Sequence, residues 1–193
     1  MINRYKTVLI TGAANGIGSS ILKKLSNYQF KIYALDKDKR NLKKICNETG
    51  ASPVNIDVTN IDLLYSRLSK LDVDILINNA GIGNGIEGLL QSSKGDILKS
   101  TKVNYESILH ILKILVPKMV KKRNGHIFLI GSIAGLYPTD SAIYSSQKTA
   151  IHKIAQSLRI ELSGSRVKLT EITPGRTKTS FGNKIFSSNK MKK

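Results

Sequence analysis

The 193-residue sequence is poor in cysteine, in acidic residues and in long apolar runs, and each shortage excludes a class of protein. Its one cysteine, Cys46, cannot form an intrachain disulfide. That excludes a small secreted scaffold held by disulfides and favours a reducing, cytoplasmic setting. The apolar stretch at residues 8–10 is too short for the hydrophobic region of a signal peptide, so we expect no export.

The longest apolar stretch, residues 108–120, is interrupted by His110, Lys113, Pro117 and Lys118. A membrane-spanning helix needs about 20 predominantly apolar residues. The stretch therefore predicts a buried amphipathic helix, and we expect no membrane association.

Acidic residues are outnumbered, with 13 Asp and Glu against 31 Lys and Arg, which gives a formal charge of +18. Such an excess can indicate a nucleic-acid or anionic-membrane partner. Here the basic residues are spread over most predicted helices, without an arginine-rich run or interleaved aromatic residues that would stack on bases. We therefore interpret the charge as a lysine-rich solvated surface and expect no nucleic-acid partner.

Six short runs rich in Val and Ile alternate with longer helical patterns. The predicted strands are residues 7–10, 31–36, 52–57, 73–79, 126–132 and 167–173. Strands that alternate with helices of ten or more residues predict βαβ units, and right-handed crossovers make their sheet parallel. The expected fold class is α/β, a doubly wound parallel sheet of about six strands with helices on both faces.

No repeat, low-complexity linker or Pro/Gly-rich boundary divides the chain. We expect a single domain over residues 1–193, with residues 1–175 as its core and residues 176–193 as a short basic tail or residual substrate loop. The longest predicted helix spans residues 94–122, and Asn124-Gly125 is its predicted stop signal.

A glycine-rich turn follows the first predicted strand and leads directly into a helical pattern. Its candidate phosphate-binding residues are Gly12, Asn15, Gly16, Ile17 and Gly18. Glycine allows positive φ and close backbone approach, and the free N–H groups at a helix start favour a pyrophosphate. The spacing G-x-x-x-G-x-G differs from the commoner G-x-G-x-x-G, and no Lys-Ser/Thr pair of a P-loop follows. We expect a dinucleotide here, and a simple tight turn is the alternative.

Asp36 ends the second predicted strand, 20 residues after Gly16. A carboxylate at this position can accept hydrogen bonds from a ribose hydroxyl, and its charge would repel a 2′-phosphate. We therefore expect NAD as the cofactor. Lys37, Lys39 and Arg40 lie close by and weaken that inference, so NADP is the second choice.

A set of short motifs resembles the short-chain dehydrogenase/reductase family, over residues 7 to about 179. The motifs, in chain order, are TGAANGIG, Asp57-Val58, Asn78-Asn79-Ala80-Gly81, Asn104, Ser132, Tyr144-x-x-x-Lys148 and Pro174-Gly175. The resemblance implies a Rossmann-type fold that binds a nicotinamide cofactor. It implies that Asp57 and Val58 contact the adenine and that Asn79, Ala80 and Gly81 run beside the sugars. It also implies a segment beside the nicotinamide, formed by Pro174, Gly175, Thr177 and Thr179.

Tyr144 and Lys148 are four residues apart in a helical stretch, so their side chains share one face. A tyrosine loses its proton near pH ~10, and bringing that pKa near neutrality takes about 4 kcal/mol, much of which an adjacent ammonium can supply. Tyr144 can then act as general acid or base on a substrate oxygen, and both residues also count as cofactor contacts. Ser132 can orient the same oxygen by a hydrogen bond.

The resemblance implies that Asn104 holds a water that relays protons to Lys148. A polar helix position that faces solvent is the alternative interpretation of this residue. The three histidines are scattered and no Cys/His pair has ligand spacing, so we expect no metal site.

Only 18 residues follow Gly175, whereas family members typically continue through a substrate loop, further helices and a seventh strand. The favoured hypothesis is an NAD(P)-dependent oxidoreductase that transfers hydride between the nicotinamide and a hydroxyl or carbonyl carbon of a small alcohol or carbonyl substrate. The second is a truncated or non-catalytic dinucleotide-binding module that serves as a partner or regulatory subunit. A nucleic-acid binder is the third. We expect a homodimer or homotetramer, since the family commonly associates through the helices predicted at residues 94–122 and 142–163.

Overall fold

The structure is a computed structural model, and it describes residues 4–179 and 181. Within that part of the chain, six parallel strands form one sheet in the order β3-β2-β1-β4-β5-β6. The strands are β1 (Thr7–Thr11), β2 (Lys31–Asp36), β3 (Ser52–Asn55), β4 (Ile75–Asn78), β5 (Gly125–Ile130) and β6 (Val167–Ile172). The strand order reverses between β1 and β4, and ligands of such sheets bind outside the carboxyl ends of the strands at this point. The predicted fold class is confirmed.

Helices connect the strands and cover the two faces of the sheet. They are α1 (Gly16–Leu25), α2 (Lys39–Thr49), α3 (Ile61–Leu68), α4 (Lys94–Thr101), α5 (Ser107–Lys121) and α6 (Ala142–Glu161). None of the helices described here is long and apolar enough to cross a membrane.

The alternation of side chains along the central strand separates two apolar layers. On β1, Leu9 packs into the layer that contains the buried side chains of α3, α5 and α6. Val8 and Ile10 point the other way, into the layer with Leu22 of α1 and Leu42 of α2. Because both faces of the central strands are covered, these strands are continuous apolar runs, as a buried parallel sheet requires.

The predicted helix at residues 94–122 is one helical stretch with a widened turn in its middle. Residues Lys102–Glu106 form a π-helical turn between α4 and α5. Such a turn accommodates one extra residue and changes which side chains face the protein. Asn104 lies in this turn and is only 1% exposed.

The predicted stop signal Asn124-Gly125 is wrong in detail. Helix α5 ends at Lys121, the left-handed residue that follows is Arg123 (φ 52°), and Gly125 is the first residue of β5. A Cβ atom at Gly125 would lie 2.7 Å from the Cβ of Met119. The glycine is therefore needed for the close approach of the strand to α5, and not to end the helix. The strands predicted at residues 52–57 and 73–79 are shorter than expected, because β3 ends at Asn55 and β4 spans only Ile75–Asn78.

Candidate active site and cofactor cleft

The turn between β1 and α1 has the close backbone packing that its glycines predict. Gly12 and Gly16 have φ values of 64° and 56°, which favour glycine over other residues. A Cβ atom at Gly18 would lie 2.1 Å from the carbonyl oxygen of Gly12. Asn15 immediately precedes α1, and Ile17 lies in its first turn. The missing side chains thus permit the close packing of this turn. The turn forms a glycine cradle whose position at the start of α1 suits a pyrophosphate.

Asp36 lies beside this turn, at the end of β2. Its carboxylate accepts hydrogen bonds from the backbone N–H of Ala14 at 3.0 Å and of Asp38 at 2.9 Å. The side-chain amide of Asn15 donates to Asp38 at 3.4 Å. The carboxylate of Asp36 is therefore held in place next to the phosphate-binding turn, as its predicted role requires.

Asp57 and Val58 follow β3 at the same edge of the sheet. Burial alone would raise the pKa of Asp57, but hydrogen bonds from Thr59 and from Lys37 outweigh it and hold that pKa below its ordinary value. The Lys37 ammonium lies 3.3 Å from the Asp57 carboxylate. Val58 is buried. The Lys37 side chain is thus engaged with a carboxylate.

Thr11, the last residue of β1, joins the ends of β1 and β4. Its hydroxyl oxygen accepts hydrogen bonds from the backbone N–H groups of Asn79 and Ala80, both at 3.0 Å, and donates to Asn78 at 3.3 Å. The Asn79 amide donates back to the carbonyls of Thr11 and Gly12 at 3.0 and 3.1 Å. Sequence reasoning missed Thr11, although a hydroxyl residue between a buried strand and a glycine turn could have indicated it.

Helix α6 places Tyr144 and Lys148 on one face, as predicted. The Lys148 ammonium donates to the carbonyl of Ile130 at 3.0 Å and lies 5.7 Å from the centroid of the Tyr144 ring. Lys148 is only 6% exposed. It also approaches Gly81, because a Cβ atom there would lie 4.0 Å from its Nζ. The nitrogen therefore sits between the ends of β4 and β5.

Burial controls the proton affinities of this pair. It lowers the pKa of Lys148 to about 8, against the opposing attraction of Glu171. It raises the pKa of Tyr144, while a hydrogen bond from Ser132 acts in the opposite direction. The expected lowering of the tyrosine pKa by Lys148 is not found. The physical reason is that the ammonium donates to Ile130 and the phenol is desolvated.

Asn104 faces the interior, so the solvent-facing alternative is wrong. Its side-chain amide donates to the carbonyl of Ile82 at 2.9 Å and to Gln147 at 2.8 Å, and its oxygen accepts from the N–H of Ile82 at 2.8 Å. Gln147 in turn donates to Ser100 at 3.0 Å. The π-helical turn and α6 are thereby tied to the loop after β4. The role of Asn104 in a proton relay stays a prediction.

Ser132 follows β5 and begins a short 3₁₀ turn, Ile133–Gly135, by accepting a hydrogen bond from the N–H of Ala134 at 3.2 Å. The N–H of Ile133 donates to the carbonyl of Pro174 at 3.1 Å. The turn after β5 and the Pro174-Gly175 segment after β6 are thus in direct contact.

The segment after Gly175 crosses the cleft. The Thr177 hydroxyl donates to the carbonyl of Gly175 at 3.2 Å. Thr179 approaches the phosphate-binding turn, since a Cβ atom on Gly16 would lie 3.5 Å from it. The ring centroid of Phe181 is 6.1 Å from that of Tyr144. The rest of the predicted tail, residue 180 and residues 182–193, lies outside the described residues.

Residues 4–179 and 181 contain no group of three or more His, Cys, Asp or Glu side chains that could hold a metal ion. The cleft therefore combines three features: an open glycine cradle, a fixed carboxylate, and a tyrosine paired with a buried lysine. These suit a dinucleotide and a proton transfer.

Comparison with known proteins identifies the family. The model of the short chain dehydrogenase family matches residues 6–190. An uncharacterised short-chain type dehydrogenase/reductase of Sinorhizobium fredii is 32% identical over 181 residues, which cover 93% of this chain and 73% of that protein. An NADP-dependent 3-hydroxy acid dehydrogenase of Shigella flexneri is 30% identical over 176 residues, covering 87% and 71%. The closed form of a serine dehydrogenase complexed with NADP+ superposes with a TM-score of 0.87 at 30% identity, covering 92% and 75%. The chain belongs to the short-chain dehydrogenase family and is an NAD(P)-dependent oxidoreductase.

Proposed function

We propose that this chain interconverts a hydroxyl and a carbonyl group on a small molecule, with Tyr144 moving the proton. The observation that supports this most is the convergence of Tyr144, Ser132 and the buried Lys148 at the carboxyl ends of the strands. Such a group beside a dinucleotide cradle has the composition that hydride transfer coupled to proton transfer requires. The cytoplasmic location inferred from the sequence remains a prediction.

The cofactor, when bound, supplies or accepts the hydride. We infer that the cradle of Gly12, Gly16 and Gly18 holds the pyrophosphate and that Asp36 binds the adenosine ribose. Asp57 and Val58 would contact the adenine, and Asn79, Ala80, Gly81, Pro174, Gly175, Thr177 and Thr179 would hold the sugars and the nicotinamide end. This assignment follows from the crevice at the carboxyl ends of the strands, where such ligands bind.

Tyr144 acts as general acid in the reducing direction. Its O–H bond breaks as the carbonyl oxygen takes the proton, while the carbonyl carbon gains the hydride. Because its pKa lies above the ordinary value, the phenol keeps its proton across the neutral range. Ser132 donates to the same oxygen and orients it, and the charge on Lys148 stabilises the phenolate that remains.

We further propose that NAD is preferred over NADP. Asp36 presents a fixed carboxylate at the site of the adenosine ribose, and Lys37 is engaged with Asp57. A 2′-phosphate would meet the negative charge of Asp36 without the help of Lys37. The similar 3-hydroxy acid dehydrogenase is named as NADP-dependent, and the similar serine dehydrogenase was solved in complex with NADP+, so the titration below compares the two cofactors directly.

To identify the substrate, a panel of compounds is tested for turnover. The panel starts with 3-hydroxy acids and serine, the compounds in the names of two similar proteins. It then extends to apolar alcohols and ketones, because Phe181 places an aromatic ring next to Tyr144. We infer that the substrate is a small alcohol or carbonyl compound.

Two measurements test the function. Titration with NADH and with NADPH, followed by cofactor fluorescence, should show tighter binding of NADH, and Asp36→Ala should weaken NADH binding and reduce the difference. Tyr144→Phe should lower turnover of any substrate by about 10²- to 10⁴-fold while NADH binding is retained. Tyr28→Phe is the matched control, because this exposed tyrosine lies between α1 and β2, at the opposite end of the sheet from the cleft. A non-catalytic module would instead bind NADH and turn over no compound of the panel.

A second copy of the chain is the partner we propose. Helices α5 and α6 border an open groove of about 650 Å³. Its apolar lining includes Tyr105, Leu109, Val116, Ile154 and Leu158. Leu109→Arg should convert the dimer or tetramer to a monomer in sedimentation, whereas Leu90→Arg, at a 95% exposed site outside the groove, should leave the assembly unchanged. Sedimentation of the wild type as a 21.2 kDa species would contradict this.

A further inference from the structure

A buried carboxylate lies at the carboxyl end of β6, where the proposed mechanism gives it no task. The side chain of Glu171 is only 7% exposed, and its Oε2 lies 2.7 Å from Nδ1 of His152. His152 is on α6, one helical turn beyond Lys148. Burial of a carboxylate is costly unless partners compensate, so this placement calls for an explanation.

The surrounding hydrogen bonds fix the roles of this pair. Oε1 of Gln156 accepts from the ammonium of Lys153 at 3.3 Å, which leaves its NH₂ group facing Nε2 of His152 at 3.0 Å. Nε2 of His152 is therefore the acceptor and Nδ1 carries the hydrogen. Nδ1 of His152 thus donates to Glu171 at 2.7 Å and fixes the orientation of its carboxylate.

The other carboxylate oxygen of Glu171 packs against the turn that forms the site. A Cβ atom at Gly131 would lie 2.7 Å from Oε1, so this oxygen occupies the space that a side chain would need. Gly131 is flanked by Ile130, whose carbonyl accepts from Lys148, and by Ser132. Its N–H donates to the carbonyl of Ile172 at 2.8 Å. Glu171 therefore sits directly behind the turn that holds both Lys148 and Ser132.

The groups that face Lys148 carry little charge apart from this carboxylate. On its own helix, the phenol of Tyr144 lies one turn earlier, and the imidazole of His152, which is hydrogen-bonded to Glu171, lies one turn later. The end of β5 offers a carbonyl oxygen. The loop after β4 offers Gly81, and a Cβ atom there would lie 4.0 Å from the Lys148 nitrogen and 3.4 Å from the side-chain oxygen of Asn104. Among the described residues, Glu171 is the group whose charge acts on Lys148, and its attraction works against burial.

We propose that Glu171, held by His152, is a positioning residue that keeps the Lys148 ammonium charged at the active site. The proposal rests on the proposed function, in which this ammonium stabilises the phenolate of Tyr144, and on the expectation from the sequence that Lys148 also contacts the cofactor. Glu171 itself touches neither substrate nor cofactor and acts through Lys148.

The test is the pH dependence of NADH binding, which needs no substrate. The dissociation constant is measured by NADH fluorescence from pH 6 to pH 10 for the wild type and for Glu171→Gln. In the wild type, binding should weaken as the pH rises through about 8, where Lys148 loses its proton. Glutamine keeps the shape and an acceptor for His152 but removes the charge. Weakening should then begin at lower pH, by on the order of one pH unit.

Three further variants make the result specific. Lys148→Arg stays charged throughout the range and should abolish the alkaline weakening, which assigns it to Lys148. Asp74→Asn removes another largely buried carboxylate, at the amino end of β4, and should leave the pH profile unchanged. His152→Gln leaves the carboxylate in place and removes its imidazole donor, so it should shift the profile in the same direction by less. If circular dichroism shows that Glu171→Gln is unfolded, the pH profile of His152→Gln tests the proposal in its place.

The outcomes distinguish a failure of the positioning role of Glu171 from a failure of the proposed NAD site. A profile of Glu171→Gln that superimposes on that of the wild type overturns the positioning role and leaves the cofactor site standing. An equal shift with Asp74→Asn also overturns it, because the effect is then one of general stability. Absence of NADH binding by the wild type at every pH refutes the proposed NAD site, and the positioning role with it.

Discussion

The two sides of the cleft are built in different ways. On the side of β1 and β2, the turn is held by backbone N–H groups that donate to Thr11 and Asp36, and by glycines whose missing side chains allow close backbone packing. On the side of β5 and β6, the site is held by buried ionisable groups, namely Lys148 and Glu171. The first side depends on shape, and the second depends on charge.

This difference determines how each side responds to change. A cradle defined by close contacts tolerates no added atom, but it does not respond to pH between the pKa values of carboxylates and lysines. A buried lysine with a pKa of about 8 costs folding free energy at neutral pH and responds strongly to pH. Substitutions on the first side should therefore lower stability and binding together, whereas those on the second should separate the two.

Gly18→Ala should have the largest effect, because it attacks the shape-dependent side. The added methyl would lie 2.1 Å from the carbonyl oxygen of Gly12, so the turn must shift. We expect destabilisation by roughly 3 kcal/mol, as for overpacked interiors, and NADH binding below detection, measured by chemical denaturation and fluorescence. Gly95→Ala is the control, because Gly95 lies exposed in α4 with Ser93 Oγ no nearer than 3.5 Å to the added atom. Retention of normal NADH affinity by Gly18→Ala would show that the cradle does not hold the cofactor.

Thr11→Val should have the next largest effect. Valine keeps the shape but leaves the backbone N–H groups of Asn79 and Ala80 without their acceptor. Unsatisfied buried donors cost about 1–3 kcal/mol each, and these two are only partly buried, so we expect a loss of roughly 2.5 kcal/mol in denaturation and weaker NADH binding. Thr11→Ser retains the hydroxyl and should recover most of both. If serine behaves like valine, the packing of the methyl group and not the hydrogen bonds holds β1 to β4.

The sequence predicted the shape-dependent side better than the charge-dependent one. Gly12, Gly16 and Gly18 are close together in the chain, and a strand, a glycine turn and a helix in succession define their geometry. Six strands with their approximate bounds followed from apolar runs for the same reason, since local patterns encode local structure.

The features that the sequence did not predict depend on contacts between residues far apart in the chain. Glu171 and His152 are 19 residues apart, and Thr11 and Asn79 are 68 apart. The π-helical turn that buries Asn104 is stabilised by hydrogen bonds to Ile82 and Gln147, so neighbouring residues do not reveal it. Lys148 was predicted from its spacing to Tyr144, but the effect of burial on both pKa values could not be, because desolvation depends on the packed structure.

Lys148→Met should have the smallest effect on the free energy of unfolding, and of the opposite sign, which makes it the sharpest test of the comparison. The folded-state pKa of Lys148 lies near 8, below its ordinary 10.5, so the unfolded chain binds more protons between these values. Stability of the wild type therefore rises with pH across that window, and the full penalty, roughly 3 kcal/mol, applies below pH 8. Loss of the hydrogen bond to Ile130 offsets about 1 kcal/mol. The variant should be more stable than the wild type by about 2 kcal/mol at pH 7, with the gain lost by pH ~10.5, while turnover disappears. Urea denaturation at several pH values measures this, with Lys70→Met as the exposed control. A destabilised variant at pH 7 would mean that the lysine contributes to folding, and the two sides of the cleft would then differ less than their construction indicates.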